Sequence, residues 1–155
     1  MSKPTLYQRK LAAKKQAARE DAYTRRRASR EFNSQALTLR IKLFQMEHGE
    51  DATEMLACLA VVIGTPCEAG ARQFGHEPAW VRRLHGALRT ILWMCTDNSY
   101  RWDSQFAPAL DAALEEATKE RPELNADEFT EAWKEANGLS TSILNHSVQR
   151  DAIAA

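Results

Sequence analysis

The residues best suited to metal binding or nucleophilic chemistry are Cys67, His76, His85 and Cys95, which are spaced almost evenly along the chain. Thiolates and imidazoles are the usual ligands of zinc. The spacing does not support such a site, because no Cys-x-x-Cys or His-x3-His pair is present. On one helix, His85 and Cys95 would lie about 15 Å apart at roughly 1.5 Å per residue. We therefore predict no metal site.

Signatures of catalysis are also missing from the sequence. There is no Gly-x-Ser-x-Gly motif and no Gly-rich loop that would hold a phosphate. The carboxylates Asp111, Glu115, Glu116 and Glu120 recur at helical spacings and could form an acid–base pair. A run of this kind is typical of a solvated helix face, and nothing in it indicates the burial that tunes a catalytic carboxyl group. We predict neither an enzyme nor a cofactor.

Positive charge is concentrated at the N-terminus. Residues 1–31 hold ten Lys and Arg against three carboxylates, whereas residues 103–135 hold ten carboxylates against three Lys and Arg, although the whole chain is neutral. Charge separated in blocks predicts a basic arm that meets an anionic partner or an acidic segment of the protein itself. In the second case the arm could dock on residues 103–135 of another copy, which would produce a homo-oligomer.

The basic arm has the composition of a polyelectrolyte ligand with two tyrosines, Tyr7 and Tyr23, as possible stacking groups. Its cations are Lys3, Arg9, Lys10, Lys14, Lys15, Arg19, Arg25, Arg26, Arg27 and Arg30. Such a segment neutralises phosphates without reading base sequence, so we predict that it binds DNA, RNA or an acidic protein surface. The alternatives are a solvated charged helix or a disordered tail. Membrane binding is not expected, because the arm up to Glu31 lacks Trp, Phe or several Leu on one side.

The elements that must position these residues are helical. No Pro or Gly occurs over residues 5–48, and Leu37, Ile41 and Phe44 recur at steps of four and three, which predicts a core-facing stripe. Leu39, Leu43 and Met46 widen this stripe. Residues 55–63 are all apolar and predict a central buried helix, with a buried strand as the alternative. Residues 78–96 carry a long apolar stripe at helical spacing and predict the clearest helix of the chain.

Helix boundaries are predicted from glycine, proline and capping residues. Gly64 is expected to end the central element, and Thr65 with Glu68 forms a capping-box pattern that predicts a short helix ending at Phe74. Gly138 is expected to end a later helix that begins near Asn125. The sum is an all-α, compact helical bundle of about five to six helices with an extended basic N-terminal helix or arm. We assign residues 1–31 to the arm and 32–155 to one helical domain.

The segment 65–96 places a small residue, a turn glycine and apolar contacts at the spacing of two crossing helices. These are Ala71, Gly75, and then Phe74, Val81 and Leu84. The stretch resembles the helix-turn-helix superfamily over about twenty residues. The resemblance implies that Arg82 and Arg83 face the major groove and contact guanine edges or phosphates. A plain corner between two helices is the alternative, since the apolar stripe of the second helix continues to Cys95.

A further surface is predicted around Arg82, Arg89 and Trp93, which project from one side of the second helix. A guanidinium beside an indole can stack on bases or contact a partner protein. The rival function is therefore a protein interaction module, such as an inhibitor, adaptor or assembly protein. Its predicted contact residues are Trp93, Trp102 and Trp133 together with the acidic helices.

Cysteine number and hydropathy predict a cytoplasmic location. The three cysteines cannot all pair within one chain, and the N-terminus lacks the apolar core of a secretory signal. The longest apolar run, residues 55–63, is far shorter than the roughly 20 residues needed to cross a bilayer as a helix. We therefore predict an intracellular protein with reduced thiols and no membrane partner.

Overall fold

The computed structural model describes residues 2–120 and 124–154. Within these ranges the chain forms α-helices, one 3₁₀ turn and no strand, which confirms the predicted all-α bundle. The elements are α1 (Leu6–Gln45), α2 (Thr53–Phe74), α3 (Ala79–Thr96), the 3₁₀ turn Ser104–Phe106, α4 (Ala107–Glu120) and α5 (Ala126–Ala154).

Helix α2 is the centre of the bundle, and it is buried on almost every side, as its sequence predicts. At Gly64 it passes between two neighbours: a Cβ added there would lie 3.7 Å from Leu88 of α3 and 4.0 Å from Ala136 of α5. Its length and composition would suffice to cross a membrane, but 78% of its most apolar window is buried inside the protein. Burial among the other helices accounts for the apolar composition of α2.

Two predicted helix ends are wrong, because α2 and α5 are each continuous through a glycine. Gly64 lies inside α2, and Gly138 lies inside α5. The predicted capping box at Thr65 does not form; the Thr65 hydroxyl instead donates to the carbonyl of Val61 at 2.7 Å. Pro66 costs an interior helix about 3 kcal/mol. Burial of the α2 residues on both sides of it offsets that cost.

The core-facing side of α1 is only partly the predicted one, because Leu39 and Leu43 of the predicted stripe are buried but its central residues are not. The buried residues are Ala28, Phe32, Ala36, Leu39 and Leu43, whereas Leu37, Ile41 and Phe44, the centre of the predicted stripe, are 66%, 54% and 59% exposed. Both sets satisfy the helical period, so periodicity does not distinguish them. The observed side brings Ala28 and Ala36 against the bundle, and these small residues allow a close approach.

Phe32 anchors α1 on α5. Its side chain is fully buried, and its ring meets those of Phe129 and Trp133 edge-on, with centroid distances of 5.2 and 6.4 Å. Toward the N-terminus, burial of α1 stops at Ala28, and residues 6–27 extend the same helix away from the core. At about 1.5 Å per residue this projecting part is about 33 Å long.

We expect the substitution Phe32→Ala to lower the free energy of unfolding by about 3–5 kcal/mol, because it removes a buried aromatic ring and leaves a cavity. The matched control is Leu11→Ala on the projecting part of α1, which should change stability by no more than about 0.5 kcal/mol. Urea denaturation followed by circular dichroism measures both. Equal losses for the two variants would contradict the division of α1 into a buried and a projecting part.

Candidate nucleic-acid interface

The projecting part of α1 is helical from its first turn because Thr5 caps it. The Thr5 hydroxyl accepts the backbone N–H of Gln8 at 3.1 Å, and the side-chain carbonyl of Gln8 accepts the backbone N–H of Thr5 at 2.9 Å. This capping box satisfies two of the N–H groups that the end of a helix leaves unpaired. The predicted basic arm is therefore a helix, and at about 100° per residue its cations point to all sides.

Two cations of the arm are held by carboxylates. Arg25 pairs with Asp127 at the start of α5 at 2.5 Å, and Arg27 pairs with Glu31 one turn along α1 at 2.9 Å. The hydrogen bond and charge of Glu31 raise the pKa of the Arg27 guanidinium. The other cations in the first part of α1, up to residue 30, form no ion pair with any residue in the ranges 2–120 and 124–154. They are Arg9, Lys10, Lys14, Lys15, Arg19, Arg26 and Arg30.

The acidic segment of residues 103–135 is largely engaged by cations of the bundle itself. Arg40 of α1 contacts Asp111 at 2.9 Å and Glu115 at 3.7 Å, and Arg72 of α2 pairs with Glu135 of α5. These pairs lie at the contacts of α4 and α5 with the other helices. The carboxylates in these pairs belong to the acidic segment that the basic arm of another copy was predicted to contact.

The corner between α2 and α3 is tightened by a glycine and a tryptophan. Gly75 adopts φ +74° and donates to the carbonyl of Ala71 at 2.9 Å. The indole of Trp80 lies across Gly70, where a Cβ would stand 2.2 Å from the ring. The same indole meets the ring of Phe74 edge-on at 6.3 Å. Trp80 therefore packs back on α2.

Arg82 and Arg83 have different surroundings, although they are neighbours in sequence. Arg83 reaches α4, where its Nε lies 2.9 and 2.8 Å from the two carboxylate oxygens of Glu116. A contact with both carboxylate oxygens holds the guanidinium in a defined orientation. Arg82 has no ion pair with a described residue and is exposed. The structure therefore separates the two arginines that the helix-turn-helix resemblance placed together.

Arg82 instead joins Arg89 at a shallow hollow on the outer side of α3. The hollow has a volume of about 470 Å³, and its lining also includes His76, His85 and Gly86. The two imidazole rings lie 6.2 Å apart, edge to face. Arg82 and Arg89 are two helical turns apart, about 10.5 Å along the axis. The hollow thus offers two guanidinium groups and two imidazoles to an anion.

The histidines of this hollow were not among the predicted site residues. His85 lies three residues after Arg82 and four before Arg89, so all three share one side of a helix at spacings that the sequence already contains. His76 comes from the turn before α3, and only the turn geometry brings it to this side.

The predicted partner-binding tryptophans differ in exposure. Trp102 is wholly buried, and Trp133 is 8% exposed and packs on Phe32. Trp93 is 38% exposed, and its ring contacts Phe106 edge-on at 5.8 Å. Of the three, Trp93 presents the most surface to a partner.

Among the residues that the structure describes, no group of three or more His, Cys, Asp or Glu side chains could hold a metal ion. Burial raises the pKa of the Cys67 thiol to about 11, with a contribution from the charge of Glu68, and burial alone raises the pKa of Cys95 to about 11. Cys58 is half-buried, and burial also raises its pKa.

No model of a known protein family matches this chain, and neither does any curated protein or solved structure. Its function is therefore inferred from the charge and geometry of its own surfaces. Among the described residues, the projecting helix of residues 6–27, which we call the basic helix, and the hollow on α3 each combine positive charge with exposure.

We expect Gly70→Ala to destabilise the protein by about 1–3 kcal/mol, because the added methyl group would overlap the Trp80 indole. The matched control is Gly86→Ala on α3, where a Cβ meets no atom within 4 Å and should stabilise the helix by up to about 1 kcal/mol. In a Trp80→Ala background, Gly70→Ala should no longer destabilise the protein, because the indole that the methyl group would overlap is absent. Thermal unfolding of the four variants measures this coupling, and an unchanged cost in that background would contradict it.

We expect Cys67 and Cys95 to resist alkylation in the native protein at neutral pH, since a thiol with a pKa of about 11 is almost entirely protonated there. Cys58 should be modified first, because it is the most exposed of the three. Iodoacetamide labelling followed by peptide mass spectrometry, with the urea-unfolded protein as control, measures the order. Faster modification of Cys67 than of Cys58 would contradict this prediction.

Proposed function

We propose that this protein is a non-enzymatic nucleic-acid-binding protein of the cytoplasm that uses the basic helix of residues 6–27 as its main contact. The observation that carries the proposal is the projecting helix with cations that no carboxylate of the described chain neutralises. A helix with its side chains is about 10–12 Å across, and the major groove of B-DNA is about 12 Å wide.

The distribution of charge around the helix supports this mode of binding. A helix in a groove has phosphates on both flanks, so cations on all sides contact both strands. Such contacts follow the backbone and read no sequence. Arg82 and Arg89 add a second cationic surface on α3, where the hollow with His76 and His85 suits a phosphate group. Arg83 is not included among the proposed nucleic-acid contacts, because its guanidinium is already bound by Glu116.

A protein interaction module is the second candidate function. It is supported by Trp93 and Leu92, adjacent residues that are 38% and 43% exposed on α3. Aromatic residues with this degree of exposure are common anchors of protein interfaces. In that case the basic helix would contact an acidic protein surface, and nucleic acid would not be bound.

The test is fluorescence anisotropy of labelled 30-base-pair DNA and single-stranded RNA with the full chain, across a salt series. Five phosphate contacts predict a loss of affinity of about 10²–10³-fold between 50 and 200 mM salt. The double variant Lys14→Gln/Arg19→Gln removes two unpaired cations and should lower the slope of log K against log salt by about 2.

The matched control is Arg25→Gln/Arg27→Gln, which removes the same charge from cations that already have carboxylate partners. It should lower the affinity for nucleic acid less than Lys14→Gln/Arg19→Gln does. Arg82→Gln/Arg89→Gln tests the hollow on α3 in the same assay. Absence of binding at 50 mM salt would overturn the proposal, and binding that is insensitive to Lys14 and Arg19 would remove the basic helix from it.

A further inference from the structure

Helix α1 has a second, uncovered side, which we call the outer face. It consists of residues at steps of four and three that are all exposed: Arg19, Tyr23, Arg26, Arg30, Asn33, Leu37, Ile41 and Phe44. The C-terminal end of the outer face is apolar, and the rest is basic. A helix at a protein surface normally has one apolar side. Since α1 already buries Phe32 and Leu43 on its other side, no residue in the described part of the same copy covers the apolar end of the outer face.

The chain just beyond the apolar end of the outer face is acidic. Residues 43–71 contain no Lys or Arg, and four of their carboxylates belong to the connection between α1 and α2 and the first turn of α2. These four, all on exposed residues, are Glu47, Glu50, Asp51 and Glu54. Lys42 and Arg101 flank this acidic cluster and leave it net negative. In chain order, therefore, each copy presents a basic stretch and an apolar patch on the outer face and an acidic cluster just after the end of α1.

We propose that two copies of this chain pair through the outer face, with their α1 helices antiparallel about a two-fold axis near Ile41. Leu37 of one copy then packs on Phe44 of the other, and the two Ile41 side chains meet at the axis. A two-fold contact of this kind requires a surface that complements itself. The patch meets this requirement because Leu37 and Phe44 lie at nearly equal distances on either side of Ile41.

Charge selects the antiparallel orientation. Arg30 lies about 16 Å from Ile41 along the helix, which carries it past the end of the partner's α1 to the acidic cluster. Arg26 lies one turn further and reaches the same region. A parallel pair would instead place Arg26 and Arg30 of both copies side by side, and like charges at an interface are strongly disfavoured.

The interface is small in apolar area, so the charge pairs are needed to complete it. Stable interfaces bury about 1,200–2,000 Å² in total, and three apolar side chains per copy are only the centre of such an area. We therefore expect a dimer with a dissociation constant in the roughly micromolar range that weakens as salt increases. The first part of each basic helix, up to Arg19, extends beyond the partner.

The test is sedimentation equilibrium of the full chain from 1 to 200 µM at 50 and 500 mM salt, without nucleic acid. We expect a monomer–dimer equilibrium at 50 mM salt and a dissociation constant at least tenfold higher at 500 mM. Ile41→Glu should be monomeric throughout, because it places two carboxylates at the axis. The control is Leu139→Glu, an exposed leucine on α5, which should leave the equilibrium unchanged. Circular dichroism confirms that both variants fold.

Orientation is tested by charge reversal. Arg26→Glu/Arg30→Glu should weaken the dimer at least tenfold, and the further changes Glu50→Arg/Glu54→Arg in the same chain should restore it. A monomer at 200 µM and low salt overturns the proposal, as does a dimer that survives Ile41→Glu. If the arginine changes weaken the dimer and the further changes at Glu50 and Glu54 do not restore it, the antiparallel arrangement is overturned. No nucleic acid is present, so these outcomes are independent of the DNA-binding assay.

Discussion

The structure depends on the burial of α2. A helix that is apolar on all sides is stable in water only when other helices surround it. Helices α3 and α5 both approach α2 at Gly64, and α1 and α4 add further residues to the same core. Burial also explains the helix interior: Thr65 and Pro66 would favour a break, but a break would expose apolar surface that the continuous helix buries.

The two parts of α1 follow from the size of this core. Only the stretch that begins at Ala28 is needed to cover α2 and α5, and Phe32 provides the main contact with α5. The described residues before it carry charge and almost no large apolar side chains, and none of them belongs to the buried core. The Thr5 capping box and the high helix propensity of the segment maintain the helix there. One continuous helix is therefore structural at its C-terminal end and an exposed polycation at its N-terminal end.

Ion pairing within the bundle determines which charges face outward. Arg40 and Arg72 hold carboxylates of α4 and α5, and Arg83 holds Glu116. Partly exposed pairs of this kind contribute roughly 0–1 kcal/mol each, so they orient the surfaces more than they stabilise them. Their effect is to engage much of the acidic segment internally while the basic helix keeps most of its charge. A chain with zero net charge thus presents a strongly polar surface.

The sequence by itself determined the helical class, the central position of residues 55–63, the helix over 78–96, the turn at Gly75 and the basic N-terminal segment. These features depend on composition and local periodicity, which act within a few residues. Only the tertiary structure decided that α2 continues through Gly64, that α1 centres its core side on Phe32 and Ala36 and not on Ile41, and that Arg83 turns to α4. Each of these depends on a contact between residues distant in sequence. A capping signal or an apolar stripe has no means of specifying such a contact, because burial against a neighbour outweighs local preference.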